Sequence, residues 1–176
     1  MDKKETRQYI RTLKKNFTET EKQMESERIW RRMEQHPLFL QSNNILIYWS
    51  MPDEVQTPDF IRKWQDKKRF ILPCVNGAEL DLKYFRKEGE MRQGERFLIP
   101  EPTGEPLDDY GVIELAIVPG MAFDPQCHRL GRGRGYYDKT LRKIHAPKIG
   151  VCFGFQYLDE VPVDDLDIPM DGIIHG

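Results

Sequence analysis

Apolar and basic residues repeat at helical spacing in the segment between residues 2 and 17. Its apolar side is formed by Tyr9, Ile10, Leu13 and Phe17. Beside that side runs a basic stripe, defined as Lys3, Arg7, Arg11 and Lys14. Apolar residues that recur three and four apart are typical of a helix packed on a core. The pattern therefore predicts an amphipathic helix whose basic stripe borders its buried side.

A second helix is predicted to follow at once. Thr18 and Glu21 have the spacing of a capping box, in which a hydroxyl accepts a hydrogen bond from the third helical N–H. Ile29, Trp30 and Met33 recur at helical spacing, and the pattern ends before His36, which precedes a proline. The first forty residues are therefore predicted to be helical.

Apolar runs of strand length alternate with helical segments over the rest of the chain. The runs cover residues 44–49, 69–73, 112–118 and 148–153. Their nearly unbroken apolar composition is typical of strands covered on both faces. Helices are predicted over 58–68, with Thr57 as the N-cap, and over 136–144. This order predicts an α/β fold with a mostly parallel central sheet flanked by helices, a three-layer, Rossmann-like arrangement.

One segment departs from this alternation. Residues 79–86 alternate apolar and polar side chains, and glycines at positions 89, 94 and 104 add turn signals. The pattern predicts a small antiparallel excursion within residues 79–105, which we interpret as a flap.

Length and composition narrow the class of protein. We expect residues 1–176 to form a single domain, since a chain of 176 residues is long enough for one core. The 27 Lys and Arg against 29 Asp and Glu give a formal charge of −2, so no overall positive field favours nucleic acid or a membrane. Three scattered cysteines argue against a disulfide framework, and no segment has the pattern of a signal peptide or a membrane span. We expect a cytoplasmic monomer.

The most unusual stretch is RLGRGRGYYDKTL, residues 129–141. Glycine accepts positive φ, so Gly131, Gly133 and Gly135 allow successive backbone N–H groups to converge on an anion. A helix that begins near Tyr136 would add its N-terminal donors and its dipole to the same site.

Charged side chains in this stretch extend the same interpretation. Arg129, Arg132 and Arg134 can fork onto phosphate oxygens. Asp138 supplies a hard oxygen ligand for Mg²⁺, which usually bridges a carboxylate and nucleotide phosphates. Together these residues predict a site for a nucleoside triphosphate.

Other interpretations stay open on the pattern alone, because the stretch matches neither a P-loop nor a dinucleotide fingerprint. An RNA-binding arginine-glycine box expects a longer biased tract in a basic or disordered chain. A mobile surface loop with solvated arginines is a common connector, and the tyrosines could anchor the helix in the core.

A second candidate pocket follows the first predicted strand, at the edge where open α/β sheets bind ligands. Trp49, Met51 and Glu54 could form a flat apolar wall with one carboxylate, suited to a planar heterocycle that carries N–H donors. A helix-entry loop with a solvated Glu54 fits the spacing equally well.

Cysteine and histidine chemistry is not favoured. Cys127 beside His128 raises the possibility of a nucleophile and its base, but neighbours in sequence rarely share useful geometry. No Cys and His spacing matches a structural zinc site.

Residues 119–141, PGMAFDPQCHRLGRGRGYYDKTL, resemble the signature of the 5-formyltetrahydrofolate cyclo-ligases, also called 5,10-methenyltetrahydrofolate synthetases. KKETR, MPDEVQTPDFI, EP at Glu101 and VPVDDLD occur in the expected order, so the resemblance spans nearly the whole chain. It implies ATP-dependent closure of 5-formyltetrahydrofolate to 5,10-methenyltetrahydrofolate, with release of ADP and phosphate. A non-catalytic nucleotide or folate-binding protein on the same scaffold is the alternative.

The resemblance also implies roles for individual residues. Lys3 and Arg7 are expected to reach the nucleotide, and Asp138 and Asp167 to bind Mg²⁺. Trp49 and Glu54 match folate-contacting positions, with Met51 beside them in the pocket inferred above. The nucleotide is expected to contact Arg129, Leu130, Gly131, Arg132, Gly133, Arg134, Gly135, Tyr136 and Tyr137. Within that loop residues 132–136 also face the folate, and catalysis is assigned to Arg132, Arg134 and Tyr136.

The chain departs from the family pattern at two places. Cys127 and His128 stand where Gly-Asn is usual, which implies either a locally different turn or a φ that need not be positive. The end of the sequence, DGIIHG, lacks the usual Thr-Glu after its last apolar pair.

Overall fold

The computed structural model describes residues 1–96 and 98–176. Its helices are α1 (Lys3–Lys15), α2 (Glu19–Glu34), α3 (Pro37–Gln41), α4 (Pro58–Trp64) and α5 (Tyr136–Leu141). Its strands are β1 (Asn44–Leu46), β2 (Arg69–Asn76), β3 (Glu79–Tyr84), β4 (Arg92–Gln93), β5 (Pro100–Glu101), β6 (Leu115–Val118), β7 (Ala122–Phe123), β8 (Arg129–Leu130), β9 (Lys148–Cys152) and β10 (Gly172–His175). Among the described residues, no helix has both the length and the apolar character that crossing a membrane requires.

Six strands form the central sheet in the order β10, β9, β6, β1, β2, β3. All neighbours are parallel except β2 and β3. Ile45 of β1 pairs with Phe70 on one side and Leu115 on the other, so β1 is a central strand. A central strand needs apolar residues on both faces, which explains its unbroken apolar run.

Different helices cover the two faces of this sheet. Because side chains alternate along a strand, Ile45 and Ile47 pack in a cluster with Phe60 of α4, whereas Leu46 packs in a cluster with Leu141 of α5. The predicted α/β fold, a mostly parallel sheet with helices on both faces, is therefore confirmed.

Capping follows the sequence in part. The Thr18 hydroxyl accepts a hydrogen bond from the Glu21 N–H at 3.1 Å, so the predicted start of α2 is confirmed. Asp2 and Glu5 form a full capping box on α1, which the sequence reasoning missed. Thr57 precedes α4 but makes no side-chain cap, since its hydroxyl accepts from the Ser50 N–H at 2.9 Å.

The predicted antiparallel excursion is confirmed, but its interpretation as a flap is wrong for the first part. Residues Glu79–Tyr84 form β3, an edge strand of the main sheet that pairs antiparallel with β2 from Ile71↔Tyr84 to Asn76↔Glu79. Backbone hydrogen bonding to β2 extends the sheet at this edge, which an independent flap would not do. The strands β4 and β5 form a separate antiparallel pair, and residue 97 of the predicted excursion lies outside the described residues.

A close contact fixes the chain segment that leads to the glycine-rich stretch. Phe123 of β7 is fully buried, and its ring lies against the backbone of Gly150 in β9. A Cβ at residue 150 would overlap the ring, so only glycine permits this approach. The contact holds β7, and with it the paired β8, against the sheet.

Helix α1 packs outside these layers, on the short β7 and β8 pair. Ile10 is fully buried in a cluster with Ala122 of β7 and Leu130 of β8. Burial of this apolar side orients the helix, so that part of its basic stripe faces the loop that follows β8.

Candidate functional site

Two adjoining cavities open at the carboxyl edge of the sheet. The larger, of about 330 Å³, is called the cationic cavity because seven of its lining residues are Lys or Arg and four are Asp or Glu. The smaller, of about 100 Å³, is called the apolar cavity and is walled mainly by residues after β1, in β2 and β3, and around β5. Both cavities are lined by Glu54, Pro119, Arg132, Tyr136 and Tyr137, so these residues form their junction.

The glycine loop, defined as residues 131–135, joins β8 to α5 and lines the cationic cavity. Gly133 has φ +108° and Gly135 has φ +73°, backbone conformations that side chains with a Cβ rarely adopt. The predicted need for glycine is confirmed at these two positions. Helix α5 begins at Tyr136 as predicted but ends at Leu141, short of the predicted residue 144.

Helix α1 holds the glycine loop from the outside. The Arg7 Nε donates a hydrogen bond to the Gly131 carbonyl oxygen at 2.8 Å. The Lys3 Nζ donates to carboxylates of Asp164 at 2.8 Å and Asp167 at 2.7 Å. Burial would lower the pKa of Lys3, but these hydrogen bonds raise it above its ordinary value, so the ammonium stays charged. The predicted N-terminal residues therefore reach the cavity wall.

Arg129 lies beneath the glycine loop rather than on its surface. Its side chain is buried, its Nε donates to the Pro119 carbonyl oxygen at 2.6 Å, and its guanidinium carbon lies 5.1 Å from the Tyr137 ring centroid. Burial lowers the pKa of this guanidinium, with partial compensation from Asp138, whose Oδ1 is 3.9 Å from Nη1. Arg129 thus supports the floor of the cationic cavity from within the fold.

Arg132 lies at the junction and is held by acidic neighbours. Its Nη2 donates to Asp53 Oδ1 at 2.8 Å and lies 3.7 Å from Glu54 Oε2. Lys14 of α1 donates to the other oxygen of Asp53 at 3.0 Å. Sequence reasoning missed Asp53 altogether and gave Lys14 no partner. The available signal was the position of Lys14 in the basic stripe, together with the acidic pair at residues 53 and 54.

Glu54 joins the two cavities as a buried carboxylate. It accepts a hydrogen bond from the Met51 N–H at 2.7 Å, and only 13% of its side chain is exposed. Burial raises the pKa of Glu54 above its ordinary value, although Arg132 and the Met51 hydrogen bond oppose this. The interpretation of Glu54 as a solvated residue of a helix-entry loop is wrong.

Trp49 and Met51 line the apolar cavity with Glu54, as the sequence predicts for a flat pocket with one carboxylate. The Trp49 ring is tilted against Phe85 with centroids 6.2 Å apart, which fixes the indole beside the cavity. The guanidinium carbon of Arg62 lies 6.0 Å from the Trp49 ring centroid.

Tyr136 connects the start of α5 to both hairpins. Its hydroxyl donates to the Gly77 carbonyl oxygen at 3.2 Å, in the turn between β2 and β3, and accepts from Arg96 Nη1 at 3.2 Å. Arg134 is exposed and lines the cationic cavity. The loop between β4 and β5 therefore contacts the same helix end that borders the glycine loop.

Two aspartates on one wall of the cationic cavity fit a hard cation. Asp138 Oδ1 accepts from the Ile168 N–H at 3.1 Å, which fixes it next to Asp167, and both residues line the cavity. Within residues 1–96 and 98–176 no group of three or more His, Cys, Asp or Glu could hold a metal. Mg²⁺ is typically bound by one or two carboxylates with phosphate oxygens and waters, so this pair fits a metal that arrives with a phosphate ligand.

The turn at Cys127 and His128 does not form a nucleophile and base. Cys127 has φ +66°, so the backbone is left-handed there, and the inference that φ need not be positive is wrong. His128 Nδ1 lies 3.0 Å from Asp124 Oδ2, in a buried network that also receives the Val161 N–H. Burial raises the pKa of the Cys127 thiol, which disfavours the thiolate.

All sixteen residues that the sequence analysis assigns to the nucleotide, the folate or the metal line one or both cavities. Those confined to the cationic cavity are Lys3, Arg7, Arg129, Leu130, Gly131, Gly133, Arg134, Gly135, Asp138 and Asp167. Trp49 and Met51 line only the apolar cavity, whereas Glu54, Arg132, Tyr136 and Tyr137 line both. Of the loop residues expected to face a folate, only Arg132 and Tyr136 reach the apolar side. The site is thus one two-part cleft.

Comparison with known proteins assigns the chain and its fold to a family. The model of the 5-formyltetrahydrofolate cyclo-ligase family matches residues 1–176. The chain belongs to this family. Family membership makes the protein an enzyme, a ligase of folate metabolism, and indicates 5-formyltetrahydrofolate cyclo-ligase activity.

Relatives of this family cover most of the chain. A probable 5-formyltetrahydrofolate cyclo-ligase of Schizosaccharomyces pombe is 31% identical over 157 residues, 78% of this chain and 77% of the relative. The 5-formyltetrahydrofolate cyclo-ligase of Escherichia coli is 27% identical over 94% of this chain and 95% of its own. The NMR structure of Aquifex aeolicus 5,10-methenyltetrahydrofolate synthetase matches with a TM-score of 0.89 at 32% identity, over 99% of this chain and 90% of that chain.

Proposed function

We propose that the protein uses ATP and Mg²⁺ to close 5-formyltetrahydrofolate to 5,10-methenyltetrahydrofolate, with release of ADP and phosphate. One observation carries this proposal: a cationic cavity and an apolar cavity share a wall in a chain of this family. A triphosphate suits the first and a flat pterin ring suits the second, and the shared wall would bring the γ-phosphate next to the formyl group.

The proposed chemistry proceeds in two transfers. The formyl oxygen attacks the γ-phosphorus of ATP, and ADP leaves, which turns that oxygen into a good leaving group. The folate nitrogen at position 10 then attacks the formyl carbon and loses its proton, and phosphate departs with the former formyl oxygen. No enzyme nucleophile takes part, which agrees with the raised pKa of the Cys127 thiol.

Catalysis is then a matter of positioning and charge, as is general for phosphoryl transfer. We assign the stabilisation of charge on the transferred phosphoryl group to Arg132 and Arg134, and the contact with the reacting folate to Tyr136. The nucleotide would bind Lys3, Arg7 and residues 129–137, and the pterin would bind Trp49, Met51 and Glu54.

We assign Mg²⁺ to Asp138 and Asp167. Bound with the nucleotide, the metal would neutralise phosphate charge and polarise the phosphoryl oxygens. Asp138 is held by the Ile168 N–H and Asp167 by Lys3, and both residues line the cavity, which supports this assignment. Lys3 would thereby hold a metal-binding aspartate in addition to contacting the nucleotide.

We also infer that residues 1–176 act as one cyclo-ligase domain, since α1 and the 164–167 turn both contact the walls of the same cavity. A cytoplasmic location and a monomeric state stay predictions from composition and cysteine usage. Size-exclusion chromatography with light scattering tests the monomer.

The proposal is tested by the appearance of the methenyl chromophore when purified protein meets 5-formyltetrahydrofolate, with Mg-ATP present or withheld. We expect chromophore growth only with Mg-ATP, and one phosphate released per methenyl group formed. A non-hydrolysable ATP analogue and an EDTA-treated sample serve as matched controls. Binding of both ligands without phosphate release would contradict the proposal and favour a non-catalytic binding protein.

A further inference from the structure

Arg132 has one guanidinium nitrogen committed to an anchor, and its side chain lines both cavities at their junction. Among the described residues, its contacts with Asp53 and Glu54 both involve Nη2. Nε and Nη1 have no such partner in that part of the chain, and the side chain is one-third exposed, at 34%. A planar guanidinium anchored at one corner has its two other nitrogens oriented in advance.

The anchor is itself held by a second cation on another element. Asp53 follows β1, whereas Lys14 lies at the end of α1, and the Nζ of Lys14 donates to Asp53 Oδ2 at 3.0 Å. The Lys14 side chain is only 9% exposed, unusual for a lysine near the last turn of a helix. Burial lowers the pKa of Lys14, so the fold places an ammonium there at a free-energy cost that Asp53 offsets in part.

The charges of four side chains explain why both Lys14 and Asp53 are needed to hold Arg132. Lys14, Arg132, Asp53 and Glu54 form a group of two cations and two anions. Asp53 accepts from both cations through separate oxygens, so neither oxygen is free to rotate toward a ligand. Without Lys14 the carboxylate of Asp53 would be free to turn and take Arg132 with it.

From this geometry we infer that Lys14 and Asp53 are positioning residues that act through Arg132, setting the direction in which its guanidinium meets the transferred phosphoryl group. The inference rests on the proposed function, since Arg132 is assigned there to charge stabilisation. Neither residue lies in the glycine loop, and neither needs to contact ATP or folate. Their effect should therefore appear in kcat rather than in the KM of either substrate.

A double-mutant cycle tests whether they act through Arg132. We expect Asp53→Asn and Lys14→Met each to lower kcat about tenfold, with the KM for folate changed less than about twofold. In an Arg132→Ala background the same changes should cost less than about twofold, because the group that they position is gone. Equal losses in both backgrounds would overturn the inference.

Matched variants separate positioning from charge and stability. Lys15→Met and Asp66→Asn make the same charge changes at exposed positions outside both cavities and should leave kcat unchanged. Thermal unfolding of all variants reports stability. If Asp53→Asn lowered only the melting temperature and kcat stayed normal, the ion pair of Lys14 and Asp53 would only stabilise the fold, and the inference would be wrong.

A readout without turnover keeps this inference separate from the proposed function. Guanidinium ¹⁵N NMR, with the Arg132 signal identified by its loss in Arg132→Lys, measures rotation about the Cζ–Nη bonds. We expect hindered rotation in the parent protein and faster rotation in Asp53→Asn and Lys14→Met. Absence of methenyl formation by the parent would refute the proposed function, while unchanged rotation would refute the positioning inference.

Discussion

The two cavities of the cleft are built in different ways. The cationic cavity is assembled from α1, the glycine loop, α5 and the 164–167 turn, segments far apart in sequence that are tied by ion pairs and carbonyl contacts. The apolar cavity lies between strand ends of the sheet and the loop after β1, whose positions follow from core packing. Ionic ties suit recognition of a charged ligand, and a rigid sheet edge suits recognition of a flat one.

The largest expected effect comes from Arg132, the arginine that lines both cavities. Arg132→Ala should raise the free energy of the transition state by about 3 kcal/mol, which lowers kcat/KM more than a hundredfold. The reason is that the change removes a cation from the proposed phosphoryl-transfer centre. Initial rates of methenyl formation measure it. Arg11→Ala removes the same charge from an exposed position of the basic stripe and should have no effect. Near-normal turnover of Arg132→Ala would break the assignment of a common junction.

The next effect is confined to the cationic cavity. Asp138→Asn should raise the free energy of the transition state by about 2 kcal/mol and so lower kcat/KM for Mg-ATP, because an amide is a weaker ligand for Mg²⁺ than a carboxylate. The amide oxygen can still accept from the Ile168 N–H, so the fold should be kept. A Mg²⁺ titration of turnover should shift to higher metal concentration. Asp159→Asn, an exposed change of the same kind, is the control, and an unshifted titration would contradict the metal role.

The apolar cavity should respond to loss of its aromatic wall. Trp49→Leu should weaken folate binding by about 1 kcal/mol and so raise the KM for folate, because a flat ring loses its stacking partner. The KM for ATP should stay unchanged. Steady-state kinetics with each substrate varied in turn measure this. Trp64→Leu removes a tryptophan that packs on Phe39, outside both cavities, and should change stability alone. Equal shifts in both KM values would show that the cavities are not separate in function.

The smallest effect concerns a turn outside both cavities. Cys127→Gly should be more stable than Cys127→Ala by about 0.5–1 kcal/mol, because glycine adopts φ +66° without the left-handed strain of a Cβ. Urea unfolding of the two variants measures the difference. Turnover should be the same in both, and a less stable Cys127→Gly would show that the turn carries no strain.

The fold was predictable where local signals agree. The runs at β1, β6 and β9 are almost entirely apolar because both sheet faces are buried, and Thr18 marks its helix start directly. The edge strand β3 was assigned to a flap because its alternating pattern describes a half-exposed strand without naming its partner. The local signal for pairing with β2 was Gly77, which stands first in the two-residue turn between the strands with φ +63°, and the sequence reasoning missed it.

The sequence allowed us to predict which residues line the site, but only in part how their side chains are buried and paired. Glycine alternation signals positive φ, and Gly133 and Gly135 adopt it. Burial of Arg129 and the link from Lys14 through Asp53 to Arg132 depend on how α1 packs on β7 and β8. The charge of Lys14 is visible in the sequence, whereas its pairing with Asp53, 39 residues further along the chain, is not.

The contact between Phe123 and Gly150 has a consequence for how this scaffold can change in evolution. The aromatic ring occupies the space that a side chain at residue 150 would need, so residue 150 cannot gain a side chain while residue 123 stays phenylalanine. Any relative with alanine or a larger residue at the second position should carry a smaller one at the first. A mutational scan would record two intolerant sites here, yet the constraint is a single shared volume.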